Sequence, residues 1–157
     1  MFIMKRMLLL AGTVLSAIVN YAQQGHAASD PDAAALIAIN RQFIQNFLHN
    51  DTIEHTRIIH SNFLFIGKDG SLHDRKEYMA GWAHGYDQKL IPEFVLEEVQ
   101  VRIFGEMALI VAKTRDKTMK DGQWTDGETR YTDTYIKEKG EWKCVQVQLT
   151  RMPSLTN

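Results

Sequence analysis

The chain has 157 residues, of which 45% are hydrophobic, and this supply of apolar side chains is enough for one packed core. We therefore expect a single domain. The formal net charge is -1, so no broad basic surface is available to hold phosphate groups, and we do not expect nucleic-acid binding.

The N-terminal segment has the pattern of a secretory signal peptide. Lys5 and Arg6 form a short positive region, and an almost unbroken apolar stretch from Met7 to Val19 follows. This stretch has the length of a signal-peptide core and is too short to span a bilayer. We therefore expect residues 1–27 to be a signal peptide and residues 28–157 to be the domain.

The residues after the apolar stretch bear on processing and location. Cleavage is possible after Ala22, or after Ala27 with Gly25 as the small residue before it. No cysteine follows the stretch directly, which disfavours a lipid-anchored product. We expect a periplasmic or secreted protein that makes no membrane contact after cleavage, with an uncleaved membrane anchor as the alternative.

Three helices are predicted in the first half of the chain. Ser29-Asp30-Pro31 is a capping residue followed by proline, so a helix begins there and continues to about His49. A short helix follows from Thr52 to Ile59, and a third begins at Asp74 and ends near Trp82. Apolar residues three and four positions apart give the first helix one apolar face: Leu36, Ile39, Phe43, Ile44, Phe47 and Leu48.

The second half of the chain predicts strands. A short buried strand covers Phe63 to Ile66, and after Gly85 four long strands follow, separated by Gly105-Glu106, Asp121-Gly122 and Lys139-Gly140, all typical of hairpins. The long strands run from Glu93 to Phe104, Met107 to Met119, Trp124 to Glu138 and Glu141 to Arg151. Helices followed by an antiparallel meander indicate an α+β fold with helices on one side of a curved sheet.

This order of elements resembles the nuclear transport factor 2-like, or SnoaL-like, superfamily over essentially the whole predicted domain. The last hairpin is the most specific part, with Tyr135, Gly140, Trp142 and the run up to Thr150. It is similar to a secreted bacterial branch of domains of unknown function and to the association domain of calcium/calmodulin-dependent kinase. The resemblance implies a cone-shaped, curved antiparallel sheet wrapped around the N-terminal helices, with a pocket on its concave face.

Strand alternation divides the last hairpin into two faces. Tyr131, Asp133 and Tyr135 share one face. A two- or four-residue turn at Lys139-Gly140 adds residues of the last strand to that face, namely Trp142, Cys144, Gln146 and Gln148, whereas a three-residue turn would place the alternate residues of that strand there. The Asp133 face combines aromatic and polar side chains, which suits a lined cavity. We expect ligand-binding residues from three segments. The hairpin supplies Tyr131, Asp133, Tyr135, Gln146 and Gln148, the short strand region supplies Phe63, and the third helix supplies Tyr78 and Trp82.

Two side chains are candidates for acid-base chemistry. Asp133 would be a carboxyl group in a mostly apolar cavity, where it acts as a general base, as a ligand anchor or as part of a buried hydrogen-bond network. His60 follows the second helix and carries the imidazole that commonly transfers protons near neutral pH. The lone Cys144 lies within a strand, which favours a small buried side chain over a nucleophile.

Several mechanisms known on this fold are disfavoured. Ketosteroid isomerases carry a base aspartate on the short strand after the second helix, where this chain has no acid until Asp69 in the turn. Limonene-epoxide hydrolases need an arginine and an aspartate two positions apart, but Arg115 and Asp116 are adjacent and point to opposite faces. The spacing of His55 and His60 does not place both on one helical face, so we expect no metal site. We expect no cofactor.

We expect an envelope protein that binds a small apolar or amphipathic molecule. The alternatives are a lyase or isomerase with Asp133 or His60 as general base, and an oligomerisation or protein-interaction module. Val145, Val147 and Leu149 would lie on the outer sheet face, where they predict a homodimer formed by the pairing of two sheets. If the two faces are exchanged, these apolar residues belong to the core.

Overall fold

The computed structural model describes residues 30–82 and 84–152. Both proposed cleavage points and the apolar stretch before them lie outside the described residues. Within the described part, no helix is long and apolar enough to span a membrane. The elements are α1 (Pro31–Leu48), α2 (Thr52–Ile58), β1 (Ile59–Ile66), β2 (Leu72–Asp74), α3 (Arg75–Trp82), β3 (Glu93–Phe104), β4 (Met107–Lys120), β5 (Gln123–Glu138) and β6 (Glu141–Arg151).

Aspartate side chains fix where the helices begin. The Asp30 carboxylate accepts a hydrogen bond from the Asp32 amide at 2.9 Å, and Pro31 follows in the first turn. Asp51 accepts from the Glu54 amide at 3.0 Å and so caps α2. These contacts satisfy amide groups that a helix start leaves without a partner. The three helices therefore begin close to the positions that the sequence predicts.

All six strands belong to one curved, unclosed sheet with the order β2-β1-β6-β5-β4-β3. The predicted antiparallel meander of β3 to β6 is confirmed. Two features were not predicted: β1 pairs parallel to β6, and the three-residue strand β2 pairs antiparallel to β1. The polar start of β1, at His60, Ser61 and Asn62, hid the full length of that strand, because it lacks the apolar pattern of a buried strand.

All three hairpin turns of the meander have two residues, and two of these turns have the same backbone geometry. Glu138 pairs with Glu141 across Lys139-Gly140, and both turn residues have positive φ angles of 52° and 85°. The Asp121-Gly122 turn is built in the same way. Positive φ at both positions matches the turn type whose twist suits a hairpin, and it explains glycine at the second position.

A β-bulge changes the side-chain alternation of β6. Tyr135 pairs with Cys144, whereas Thr134 pairs with Gln146, so Val145 is an extra residue without a partner on β5. Beyond Val145 the two faces of β6 are therefore exchanged relative to a regular strand. This bulge decides which β6 residues share a face with Asp133.

The core lies between the helices and the concave face of the sheet. Its buried side chains come from all three helices and from four of the six strands, β1, β4, β5 and β6. They include Leu36, Phe43, Ile58, Phe63, Tyr78, Trp82, Ala108, Ile110, Tyr135, Trp142, Cys144 and Val147. On β4 and β5 they occupy alternate positions, as expected for strands with one buried face.

Candidate functional site

A cavity of about 410 Å³ lies between α1, α3 and the concave face of the sheet. Its helical wall is aromatic, with Phe43 and Phe47 from α1 and Tyr78 and Trp82 from α3. The sheet wall is formed by alternate residues of β4, β5 and β6. These are Thr114 and Asp116, then Thr129, Tyr131 and Asp133, and finally Val147 and Leu149.

Asp133 is the most unusual residue of the cavity wall. Its side chain is 1% exposed, and no group of the described residues forms a hydrogen bond with its Oδ1 atom. Burial raises the pKa of Asp133 well above its usual range, and the neighbouring Tyr135 hydroxyl offsets this only in part. Burial therefore favours the uncharged form of this carboxyl group, and that form can donate a hydrogen bond.

Other polar groups differ in whether they are already engaged. The Tyr131 hydroxyl donates to Asn40 Oδ1 at 3.0 Å, so its hydrogen is committed to α1. Thr129 is 3% exposed, and its Oγ1 atom has no hydrogen-bond partner among the described residues. Burial raises the pKa of Tyr131, which keeps its hydroxyl protonated. The sheet wall therefore holds two unengaged oxygen atoms, one on Asp133 and one on Thr129.

Behind the helical wall lies a buried histidine. His55 Nε2 is 3.1 Å from the Tyr78 hydroxyl, and the imidazole stacks on the Trp82 indole. Phe43 meets the same imidazole edge to face with ring centroids 4.4 Å apart. These contacts fix Tyr78 and Trp82, both of which line the cavity.

Four further titratable side chains line the cavity, namely Lys68, His73, Glu77 and Asp116, and we call them its polar rim. Lys68 and Glu77 are exposed, and Thr118 Oγ1 donates to Asp116 Oδ2 at 2.7 Å. Gly127 pairs with Asp116 on the neighbouring strand, and a Cβ atom there would lie only 2.9 Å from Asp116 Oδ1. Glycine at this position therefore leaves room for the Asp116 carboxylate at the rim.

Residues 36–153 match the family model of the SnoaL-like domain. The chain belongs to this family. A comparison with curated proteins gives no match.

Similar solved structures agree with this fold. An NTF2-like protein from Cytophaga hutchinsonii is 18% identical, has a TM-score of 0.63, and aligns over 74% of this chain and 95% of that chain. A putative calcium/calmodulin-dependent kinase II association domain from Exiguobacterium sibiricum is 19% identical, with a TM-score of 0.66 and coverage of 79% and 95%. The CaMKII hub of S. rosetta is 16% identical, with a TM-score of 0.67 and coverage of 76% and 95%. At these identities the likeness concerns the fold.

Four of the eight predicted ligand-binding residues line the cavity of this SnoaL-like domain: Tyr78, Trp82, Tyr131 and Asp133. Phe63 and Tyr135 point to the same side but belong to the core beneath it. Phe63 is 3% exposed and packs on the Tyr78 ring, with centroids 4.7 Å apart. Tyr135 is fully buried.

The placement of Gln146 and Gln148 in the pocket is wrong. The bulge at Val145 pairs them with Thr134 and Thr132, whose side chains lie on the opposite face of the sheet. For the same reason Val147 and Leu149 are not on an outer dimer face. They pair with Asp133 and Tyr131 and line the cavity, where Val147 is 3% exposed.

His60 does not lie at the cavity of the SnoaL-like domain. It is the second residue of β1, and its Nε2 atom is 3.2 Å from Glu138 Oε2. Its Nδ1 atom accepts a hydrogen bond from the Asn62 amide. Asp133 and His60 are thus two separate sites, and only Asp133 faces the space where a ligand would fit.

Sequence reasoning missed His55, His73 and Thr129. His55 precedes Ile58 by three residues within α2, a spacing that places both side chains on the buried face of that helix. Thr129 has the same parity as Asp133 on β5, so it shares the cavity face. His73 belongs to β2, which was not predicted.

Among the described residues, no group of three or more histidine, cysteine, aspartate or glutamate side chains could hold a metal ion.

Proposed function

We propose that this SnoaL-like domain binds a small, mainly apolar molecule, and that the uncharged carboxyl group of Asp133 donates a hydrogen bond to a polar atom of that molecule. The observation that carries the proposal is the Asp133 side chain itself. It is buried in the wall of an aromatic cavity, and its Oδ1 atom lacks a partner among the described residues.

The energetics support a role for Asp133 in ligand binding. A buried polar atom without a hydrogen bond destabilises a fold by about 1–3 kcal/mol, so most buried polar atoms in native proteins have partners. A leucine in the same place would avoid this penalty and pack against Val147, which pairs with Asp133 across the strands. A ligand that carries an acceptor would supply the missing partner.

The proposed location is the periplasm or the exterior of the cell. It rests on the sequence before the described residues, where Lys5 and Arg6 precede the apolar stretch from Met7 to Val19. N-terminal sequencing of the purified envelope protein tests it. A first residue at Gln23 or Ala28 is expected, and an intact Met1 would contradict the proposal.

Binding can be tested with two probes of nearly equal shape. 2-Acetylnaphthalene carries a carbonyl acceptor, and 2-ethylnaphthalene lacks it. We expect calorimetric titration to show the ketone binding about tenfold more tightly than the hydrocarbon, which corresponds to about 1.4 kcal/mol. Asp133→Leu should abolish this difference, whereas Asp133→Asn should keep most of it because the amide still donates.

The control variant is Gln148→Leu, which changes the outer face of β6 and should leave both affinities unchanged. Circular dichroism of each variant checks that the fold is retained. Equal affinities of the wild type for the ketone and the hydrocarbon would show that Asp133 is not a ligand contact.

An enzymatic role is the second candidate, and the raised pKa of Asp133 favours it. Groups with strongly shifted pKa values in a cavity are common among catalytic acids and bases. The proton carrier would be Asp133 and not His60, since His60 does not line the cavity. Exchange of the methyl hydrogens of 2-acetylnaphthalene in D₂O, followed by NMR, tests this. In an enzyme the Asp133 carboxyl would give its proton to the carbonyl oxygen while a water molecule takes a proton from the methyl carbon, so exchange should be faster than in buffer. Asp133→Asn should remove the acceleration, because the amide does not transfer a proton.

Oligomerisation is a third candidate. It rests on similarity to solved association and hub domains and on apolar residues of the outer sheet face. Phe104 is 48% exposed and Met107 is 40% exposed at the β3–β4 hairpin. Light scattering of the wild type and of Met107→Glu tests this. A wild-type monomer at micromolar concentration would exclude a stable dimer.

A further inference from the structure

Thr129 has a second unpartnered oxygen atom in the cavity on which the proposed function rests. We call Asp133 and Thr129 the two anchors, meaning the two side chains available to bond a ligand. The Thr129 side chain is 3% exposed, it belongs to the cavity wall, and its Oγ1 atom has no partner among the described residues. A threonine hydroxyl in a strand commonly bonds a backbone or side-chain neighbour when it is buried. Like the Asp133 carboxyl, this hydroxyl is therefore ready to bond a ligand.

The two anchors stand at a defined separation. Thr129 and Asp133 are four residues apart on β5, and the pairing with β4 is regular from Thr114 opposite Thr129 to Ile110 opposite Asp133. A regular strand rises by about 3.3 Å per residue, which sets the two anchor positions about 13 Å apart along the strand. Side chains at even separations point to the same face, so both anchors face the same cavity.

The wall between the anchors is apolar. Tyr131 lies midway and presents its ring, because its hydroxyl is committed to Asn40 Oδ1 at 3.0 Å. Leu149 pairs with Tyr131 on the neighbouring strand. The opposite wall is formed by aromatic rings of α1 and α3. The cavity therefore alternates polar, apolar and polar along the direction of β5.

From this pattern we infer that the ligand is an elongated molecule with an apolar middle and an uncharged oxygen group near each end. Asp133 donates to one end, and the Thr129 hydroxyl donates to or accepts from the other. Both ends are uncharged because neither anchor brings a charge, and a buried ion without a counter-charge is strongly disfavoured. Hydroxyl and carbonyl groups meet this requirement.

A series of linear α,ω-alkanediols and 1-alkanols tests the inference by calorimetric titration. For the alcohols, affinity should rise smoothly with chain length as more apolar surface is buried. The diols should bind more weakly than alcohols when they are short. At roughly eight to ten carbon atoms, where the two oxygens reach both anchors, the diol should have an affinity about tenfold higher than that of the alcohol of equal length.

Two matched variants test whether Thr129 binds the second oxygen of the diol. Thr129→Val keeps the branched shape and removes the hydroxyl, so it should abolish the affinity advantage of the long diol over decanol. Thr132→Val makes the same change on the outer face, where Thr132 pairs with Gln148, and should alter neither affinity. Circular dichroism confirms that each variant is folded.

The outcomes separate this inference from the function on which it rests. If long diols never exceed the alcohols, or if Thr129→Val keeps their advantage, the two-anchor inference is overturned while apolar binding in the cavity stands. If neither the alcohols, the diols nor the naphthalene probes bind, both proposals are overturned together.

Discussion

The imidazole of His55 lies flat on the indole of Trp82, with ring centroids 3.4 Å apart and ring planes 7° from parallel. This stack explains how a fully buried histidine can support the cavity wall without being part of it. The free edge of the imidazole reaches the Tyr78 hydroxyl at 3.1 Å. Burial, with a smaller contribution from the charge of Arg75, lowers the pKa of His55 to about 3. His55 is therefore uncharged at neutral pH.

The first prediction is that His55 makes the fold less stable as the pH falls. An unfolded histidine titrates near 6.5, whereas folded His55 titrates near 3. Between these values the unfolded state binds the extra proton, so the free energy of unfolding falls by about 1.4 kcal/mol for each pH unit. In urea unfolding at pH 7, 6 and 5, the free energy of unfolding should therefore fall more steeply with falling pH in the wild type than in His55→Phe, by up to this amount per unit.

The control for this prediction is His49→Gln, which replaces an exposed imidazole and should keep the wild-type slope. The His55→Phe protein can be less stable at every pH, because the Tyr78 hydroxyl loses its partner. Only the difference in slope tests the pKa. An unchanged slope would mean that folding does not lower the pKa of His55.

Alternation and turn chemistry made much of the fold predictable from the sequence. On β5, Tyr131, Asp133 and Tyr135 alternate with outward residues without interruption, so their common face was predicted correctly. The turn at Lys139-Gly140 also has the expected length. These features depend on residues close together in the chain, where local patterns are informative.

The errors arose where one residue altered a long pattern. The residues Cys144-Val145-Gln146 do not predict a bulge, because valine is also typical of regular strands. Because of this one extra residue, Gln146 and Gln148 lie on the outer face of the sheet and Val147 and Leu149 lie on the cavity face, the reverse of the prediction. Pairing of β1 with β6 joins segments about eighty residues apart, and such long-range pairing leaves little local signal.

The second prediction tests the bulge by comparing neighbours on β6. Val147 is buried at the cavity and Gln148 is exposed on the outer face. Val147→Asp would bury an unpaired carboxyl group, and we expect it to destabilise the fold by several kcal/mol, on the order of 3–4. Gln148→Asp should change stability by about 0.5 kcal/mol or less. Chemical denaturation measures the stability of both variants. A larger loss of stability in Gln148→Asp than in Val147→Asp would indicate a regular strand without the bulge.

The third prediction concerns the attachment of α1 to the sheet. Lys137 Nζ lies 2.6 Å and 2.9 Å from the two Asp32 carboxylate oxygens, and the Trp142 indole donates to Oδ1 at 3.0 Å. The Lys137 contact, followed by the Trp142 contact, lowers the pKa of Asp32. Asp32→Asn should therefore lower the melting temperature at pH 7, because the amide keeps the shape and loses the charge.

The pH dependence of this contact has a definite sign. Since the folded pKa of Asp32 is below 3.8, the stabilisation is complete above that value and is lost as the pH falls through the folded pKa. The difference between wild type and Asp32→Asn should thus be constant from pH 5 to 7 and shrink below about pH 4. Asp126→Asn, at an exposed position of β5, is the control. Equal melting temperatures at pH 7 would show that the contact does not stabilise α1.

The last prediction is that Asp133 reduces the stability of the unliganded protein. Unfolded aspartate ionises near pH 3.9, but burial raises the pKa of folded Asp133 well above that value. Between the two pKa values the folded state keeps a proton that the unfolded state releases. The free energy of unfolding therefore falls with rising pH by up to about 1.4 kcal/mol per unit.

Asp133→Asn removes this titration while it keeps the shape and the donor. The stability of the variant relative to wild type should increase from pH 5 to pH 7 in urea unfolding, even though other groups titrate equally in both proteins. Parallel pH profiles would mean that Asp133 is ionised in the fold. In that case the carboxyl group could not donate a hydrogen bond, and the proposed binding chemistry would fail.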